Sequence, residues 1–190
     1  PEDAYETPLG ALRQDAGLYA ELGHRLALGV DRAGDNTVEV LLPLVACAMP
    51  GARVLWLRAP ADGTAWALGK VLSEAAKALG RRVAVLGSTD LTHYGPDYDF
   101  EPQGRGGKAE AWAKDVSDAG FIKAVLAGDG RAILAAGNGG AACSSGAAAC
   151  AVSFALAQGG ARPELLGYAS SLELRASPSF VGYCAIAWNP

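Results

Sequence analysis

Two short stretches of this chain carry groups able to do chemistry: Ser88-Thr-Asp-Leu-Thr-His-Tyr-Gly95 and Cys143-Ser-Ser-Gly146. The first holds a carboxylate, Asp90, and an imidazole, His93, in a polar turn directly after the apolar run Val83-Ala-Val-Leu86. A carboxylate beside an imidazole can orient the ring, and the ring can then move a proton at a bound ligand. His93 is one of two histidines in 190 residues. The other, His24, sits two residues from Leu22 and Leu26 in a helical pattern, so it projects away from their stripe as a surface residue. The alternative reading makes Asp90 a turn cap and His93 an ordinary loop residue.

Cys143 stands just ahead of a small-residue helix expected over Ala147 to Gln158. Unpaired backbone N–H groups and the helix dipole favour an anion there, so a thiolate can be offered to a metal or to an electrophile. A cysteine among alanines also packs as a small hydrophobe. A Cys143/His93 nucleophilic pair oriented by Asp90 is a third arrangement, which sequence separation neither requires nor forbids. Gly137, Gly139, Gly140 and Gly146 suggest a phosphate loop only weakly, because they follow a helix and no Lys-Ser/Thr pair comes after them.

The elements that must hold these groups read as α/β. Asp15 caps a helix carrying Leu18, Leu22 and Leu26. Asp35-Asn-Thr starts another, with Val38, Leu41, Leu42, Val45 and Ala46 at helical spacing and Pro43 bending it. Strands are expected over Arg53–Arg58 and Val83–Leu86, with a helix from about Thr64 to Leu79 between them. That order implies a parallel crossover and places the Asp90/His93 turn beyond a strand's carboxyl end. Tyr94 to Gly107 is a loop long enough to wall a pocket. Helices follow over Lys108 to Gly128, jointed near Asp118 to Gly120, and over Arg131 to Ala136. Strands over Glu164–Ser170 and Phe180–Trp188 finish the chain. The expected fold class is thus a mostly parallel central sheet flanked by helices, in one domain.

Composition excludes several classes. With 51% hydrophobic and 19% charged residues the chain is globular, and a net charge of −4 gives no reason to expect nucleic acid or an anionic membrane as partner. No apolar run reaches membrane-spanning length without interruption, and the first residues show no signal-peptide pattern, so neither a membrane span nor a leader is expected in this stretch. The cysteines, Cys47, Cys143, Cys150 and Cys184, form no Cys-x-x-Cys pair, which fits reduced thiols and a cytoplasmic location.

Read together, Thr7-Pro-Leu-Gly-Ala-Leu-Arg13, Asp35-Asn-Thr-Val-Glu-Val-Leu-Leu-Pro43, Ser88-Thr-Asp-Leu-Thr-His-Tyr-Gly95, Cys143-Ser-Ser-Gly-Ala-Ala-Ala149, Tyr168-Ala-Ser-Ser171 and Val181-Gly-Tyr-Cys-Ala-Ile-Ala187 follow a known order. The chain resembles the Memo family, the AmmeMemoRadiSam system protein B relatives, whose fold is similar to that of class III extradiol ring-cleaving dioxygenases. The resemblance implies that Cys143 takes the position of a metal-ligand cysteine, that Asp90 and His93 take the acid and proton-transfer positions, and that Asn36 lines the same pocket. It also implies Fe(II), Cu or Zn as the metal.

Where the family reads Glu-His-Ser-x-Glu, this chain reads Asp35-Asn36-Thr37-Val38-Glu39, so a ligand histidine is replaced by Asn36, a poor transition-metal ligand. The family's N-terminal strand–helix–strand segment, with its own histidine, is expected to be missing before Pro1. Metal binding by this chain alone is then expected to be weak or absent, with metal-dependent or redox chemistry of unknown reaction as one outcome. The alternative is a non-catalytic binding or regulatory module. Radical-SAM or AMMECR-type partners in microbes and phosphotyrosine peptides in animals are what the resemblance implies for such a module. An uncovered sheet edge would favour a homo-oligomer.

Overall fold

Asp15 opens the first helix as a true cap: its carboxylate accepts the Leu18 N–H at 2.9 Å, and Leu18 and Leu22 bury one face of helix α1, Ala16–Gly23. His24 follows at the helix end, exposed as its position off the stripe implies. This arrangement comes from a computed structural model that describes residues 3–31, 36–160 and 162–189. The chain divides into two compact units, Pro1–Arg58 with Val71–Val83 and Ala59–Lys70 with Ala84–Pro190.

In the first unit, strand β1 (Ala4–Tyr5) pairs antiparallel with β2 (Leu12–Arg13). Leu12, Leu42 and Val45 form a small core with Tyr5, Val38, Ala46 and Val54 against it. Helix α2, Leu42–Ala48, begins later than the periodicity suggests: residues 37–41 form turns, and Pro43 lies in the first helical turn. A proline ring inside the helix would meet the carbonyl of Glu39 four residues back, so the helix must start at the proline instead of passing through it. Asp35, the expected start, lies outside the described residues. Arg81 pairs with the Asp15 carboxylate, and Gly17 leaves it room, since a Cβ there would lie 2.8 Å from Arg81 Nη2.

Helix α3, Gly63–Ala78, contributes its first part to the second unit and the rest to the first. Asp62 caps it by accepting the Thr64 N–H at 2.8 Å. Gly80, at φ 59°, ends it, with the Arg81 N–H on the Ala76 carbonyl at 3.0 Å.

The second unit holds most of the helices. Helix α4, Gly107–Trp112, runs through a π turn over Ala113–Asp118 into α5, Ala119–Ala127, which is the joint expected near Asp118. Helix α6, Gly130–Ala136, is capped by Asp129, and α7, Ser145–Ala157, follows a second π turn. Phe121, Ile122, Val125, Ile133, Ala149 and Val152 bury together with Leu91. Tyr168, Cys184, Ile186 and Trp188 pack on them from the sheet. That sheet has the order β3-β5-β4, from His93–Tyr94, Phe180–Asn189 and Arg162–Ser170, and both pairings are antiparallel.

The molecule is therefore mixed helix and sheet, but the mostly parallel central sheet expected from the sequence is not what the described residues form. Val83–Leu86 makes no ladder, and Leu86 is 60% exposed. Arg53–Arg58 contributes one isolated parallel bridge, Val54 with Gln14. An apolar run records a tendency to be buried, whereas a ladder also needs a neighbouring backbone in register, which composition does not encode. Among the described residues, no helix is long and apolar enough to cross a membrane.

Candidate functional site

The second unit brings Asp90, His93 and Cys143 together. One ligand atom from each lies within 4.8 Å of the others. The turn carrying Asp90 and His93 is held from behind by strand β5: the Leu91 N–H donates to the Gly182 carbonyl at 2.9 Å and the Gly182 N–H to the Thr92 carbonyl at 3.1 Å. His93 then enters β3 opposite Val181. Its Nε2 lies 3.2 Å from Asp90 Oδ2, and its ring packs on Tyr98 with centroids 4.8 Å apart.

Cys143 is joined to the same turn by two reciprocal bonds. Its N–H donates to the Asp90 carbonyl at 3.2 Å, and the Asp90 N–H donates to its Sγ at 3.3 Å. Thr89 adds a hydroxyl 3.7 Å from the sulfur and accepts the Ser144 N–H at 2.9 Å at the start of α7. Of the other thiols of this unit, burial pushes Cys150 up to about 11, and burial followed by the Asp118 charge pushes Cys184 to the same level.

A cleft of about 290 Å³ opens beside these groups, lined by Leu91, His93, Tyr98, Phe100, Gly140, Ala142 and Cys143. Its aromatic wall comes from the loop after β3. Tyr94, almost fully buried and stacked on Phe180 at 5.1 Å, fixes that loop by donating its hydroxyl to the Gly104 carbonyl at 2.8 Å and accepting the Gln103 N–H at 2.9 Å. Gly140, at φ 91°, is where the opposite wall must be glycine, because a Cβ there would lie 3.0 Å from the Phe100 ring. Tyr183 faces the site from β5; burial first, then the Asp90 carboxylate and Tyr98, raise its hydroxyl above the usual tyrosine value.

The donor set suits a divalent transition metal. Carboxylate, imidazole and thiolate are all ligands for zinc-like ions, and two donors on one tetrahedral ion stand about 3.3–3.7 Å apart. The Asp90–His93 hydrogen-bond separation of 3.2 Å is close to that spacing, and since all three ligand atoms lie within 4.8 Å of one another, closing them on one ion takes movements on the order of 1 Å, within the reach of a rotamer adjustment. Asn36, expected in the same pocket, belongs to the other unit, where it is exposed at the start of the turns leading into α2.

Tyr98 and Phe100 were not singled out by residue-type reasoning, although the loop over Tyr94 to Gly107 was expected to wall a pocket, and Gly140 was noted only within a weak phosphate-loop pattern. Asp118 was taken only as part of a joint. A signal for it existed: with Phe121, Ile122 and Val125 it completes an apolar i, i+3, i+4, i+7 stripe, where a carboxylate is costly.

A family model described as Memo-like protein matches residues 1–187. The chain is 28% identical over 200 residues to a MEMO1 family protein of Pyrococcus furiosus, covering 98% of this chain and 68% of that one. A MEMO1 family protein of Pyrococcus abyssi is 29% identical with the same coverage. One from Thermococcus onnurineus is 26% identical over 203 residues, covering 100% of this chain and 69% of its own length.

Proposed function

Because the chain belongs to the Memo-like family, we propose that Asp90, His93 and Cys143 form a divalent-metal site at the wall of the cleft and that the protein acts on a small ligand bound there. The observation that supports this reading is the convergence of three chemically different donors, from a turn and a distant helix start, within 4.8 Å. Fe(II), Cu or Zn would supply Lewis acidity or electron transfer to a ligand in the cleft. With no metal bound, His93 would instead hold or move a proton at Nε2 with Asp90 orienting the ring; with metal bound, that nitrogen and the carboxylate would serve as ligands. Tyr98 and Phe100 would flank the ligand and exclude water from one side.

The likeness to class III extradiol dioxygenases enters this proposal only as the fold similarity that the Memo resemblance implies, without ring cleavage. Asn36 stands where the resemblance expects a ligand histidine, so the family's own ligand set is not reproduced, and a likeness of fold does not carry ring cleavage with it. That same departure favours a second reading, in which the cleft binds a ligand or a radical-SAM or AMMECR-type partner without turnover, in the cytoplasm. Elemental analysis of protein purified without chelator, repeated after anaerobic Fe(II) loading, separates the two. Near-stoichiometric metal that is lost in Cys143→Ala supports the site. Background metal in both proteins refutes it and leaves the binding role.

A further inference from the structure

Behind the Asp90/His93 turn lies a carboxylate that the proposed chemistry does not use. Asp118 is fully buried at the end of the π turn between α4 and α5. Its Oδ1 accepts the Thr92 N–H at 3.0 Å and its Oδ2 accepts the Tyr168 hydroxyl at 2.8 Å. Its neighbour Ser117 accepts the Thr92 hydroxyl at 2.8 Å. Strand β5 makes room for it only through a glycine, since a Cβ on Gly182 would run into Asp118 Oδ2. The backbone between Asp90 and His93 is therefore gripped on two sides, by Gly182 through two peptide hydrogen bonds and by Asp118 through a side chain that Tyr168 holds in turn.

We infer that Asp118 and Tyr168 are positioning residues for the Asp90/His93/Cys143 site. The inference rests on reading that site as functional, and it extends the apparatus to a second layer. Thr92, the residue held by Asp118, directly precedes His93 and lies two residues from Asp90. The reciprocal bonds between Asp90 and Cys143 carry the constraint to the thiol. Stability alone does not call for this arrangement, because a buried carboxylate contributes less than an apolar residue of its size unless its bonds serve something else. Groups behind metal ligands commonly set ligand orientation, and removing one weakens metal affinity by about 10–100-fold. A π turn, with its extra residue, carries Asp118 inward, and such turns often accompany functional sites. Lys114, on the same turn, lies over the Tyr168 ring at 5.9 Å and adds a cation to the face of the aromatic that donates to Asp118.

Tyr168→Phe removes one hydroxyl and keeps the ring, and Asp118→Asn keeps an acceptor for Thr92 while altering the Tyr168 bond. Both variants and the wild type are titrated with Co(II), followed by the thiolate-to-cobalt band and the d–d bands. In parallel, amide exchange is measured in the metal-free proteins. The expected result is Co(II) binding about 10–100-fold weaker with displaced d–d bands, and faster exchange confined to residues 90–93 while α7 amides stay as in the wild type. A merely structural role would speed exchange throughout the unit and leave the d–d bands in place. If the wild type binds Co(II) through its thiolate and both variants match it in affinity and spectrum, the inference is overturned while the metal site stands. If the wild type shows no thiolate band, the metal reading fails and the exchange pattern decides: selective loss at 90–93 upholds the clamp, and unchanged or uniform exchange overturns it.

Discussion

Replacing Gly182 by alanine tests the packing on which the site depends. The φ of Gly182 lies outside the left-handed region, so backbone conformation does not demand glycine, and strand propensity alone would favour alanine by about 0.5–1 kcal/mol. The added Cβ would instead meet Asp118 Oδ2 and stand 3.2 Å from Leu91 Cβ. Overpacking of this kind costs about 1–3 kcal/mol. Displacing Asp118 also weakens its bonds from Thr92 and Tyr168, at about 1.5–3 kcal/mol for an ionised acceptor. The net loss should be about 2–5 kcal/mol after the propensity gain, or roughly 5–15 °C in Tm for a chain of this size. Denaturant unfolding of Gly182→Ala, Asp118→Ala and the double variant closes a cycle. With the carboxylate absent the alanine should cost less, giving a coupling above about 1 kcal/mol. A neutral Gly182→Ala, or an equal cost in both backgrounds, refutes the account of the clamp.

The remaining predictions concern charge and thiol chemistry. In native protein at neutral pH, mass spectrometry after brief alkylation should find label on Cys143 and Cys47, which are exposed, and little on Cys150 and Cys184, whose burial raises their thiols to about 11; equal labelling of all four would contradict the packing of α7 and β5. Burial raises Asp15, but the Leu18 N–H and the Arg81 guanidinium outweigh it and hold the carboxyl below 3.8. Its contribution is therefore present above the unfolded value and lost as pH falls through the folded one. Asp15→Ala should cost about 1 kcal/mol at neutral pH and less in acid, and denaturant titrations that show no such narrowing would count against it. Asp118 has the opposite sign. Burial outweighs its hydrogen bonds and raises the carboxyl above 3.8, so its stabilising share is complete below that value and is lost as pH climbs through the raised one. Across that window the stability of the wild type relative to Asp118→Asn should fall as pH rises, and a flat or rising difference would exclude the raised carboxyl.

Much of the local structure was legible because it depends on neighbours in the chain. Asp15 ahead of an apolar stripe sets a helix start through a bond available within a few residues, and the helix expected from about Thr64 to Leu79 stops beside Gly80, at φ 59°. The motif order was equally local, and it identified the family. Pairing was not legible in the same way. Val83–Leu86 has the composition of a buried strand but no ladder, while His93–Tyr94, whose sequence carries no strand signal, pairs with β5.

By itself, then, the sequence determined most of the helices, the two C-terminal strands, the family and the reactive residue types at Asp90, His93 and Cys143. Tertiary structure decided that these three converge, with His93 and Cys143 lining one cleft, that Tyr98 and Phe100 wall it, and that Asp118 accepts hydrogen bonds from Thr92 and Tyr168 behind the turn. The physical reason is one of range. Caps and helical stripes are settled within a turn or two of chain, whereas a distance between residues 93 and 143, or a carboxylate packed against a glycine in β5, exists only after helices and strands have packed against one another.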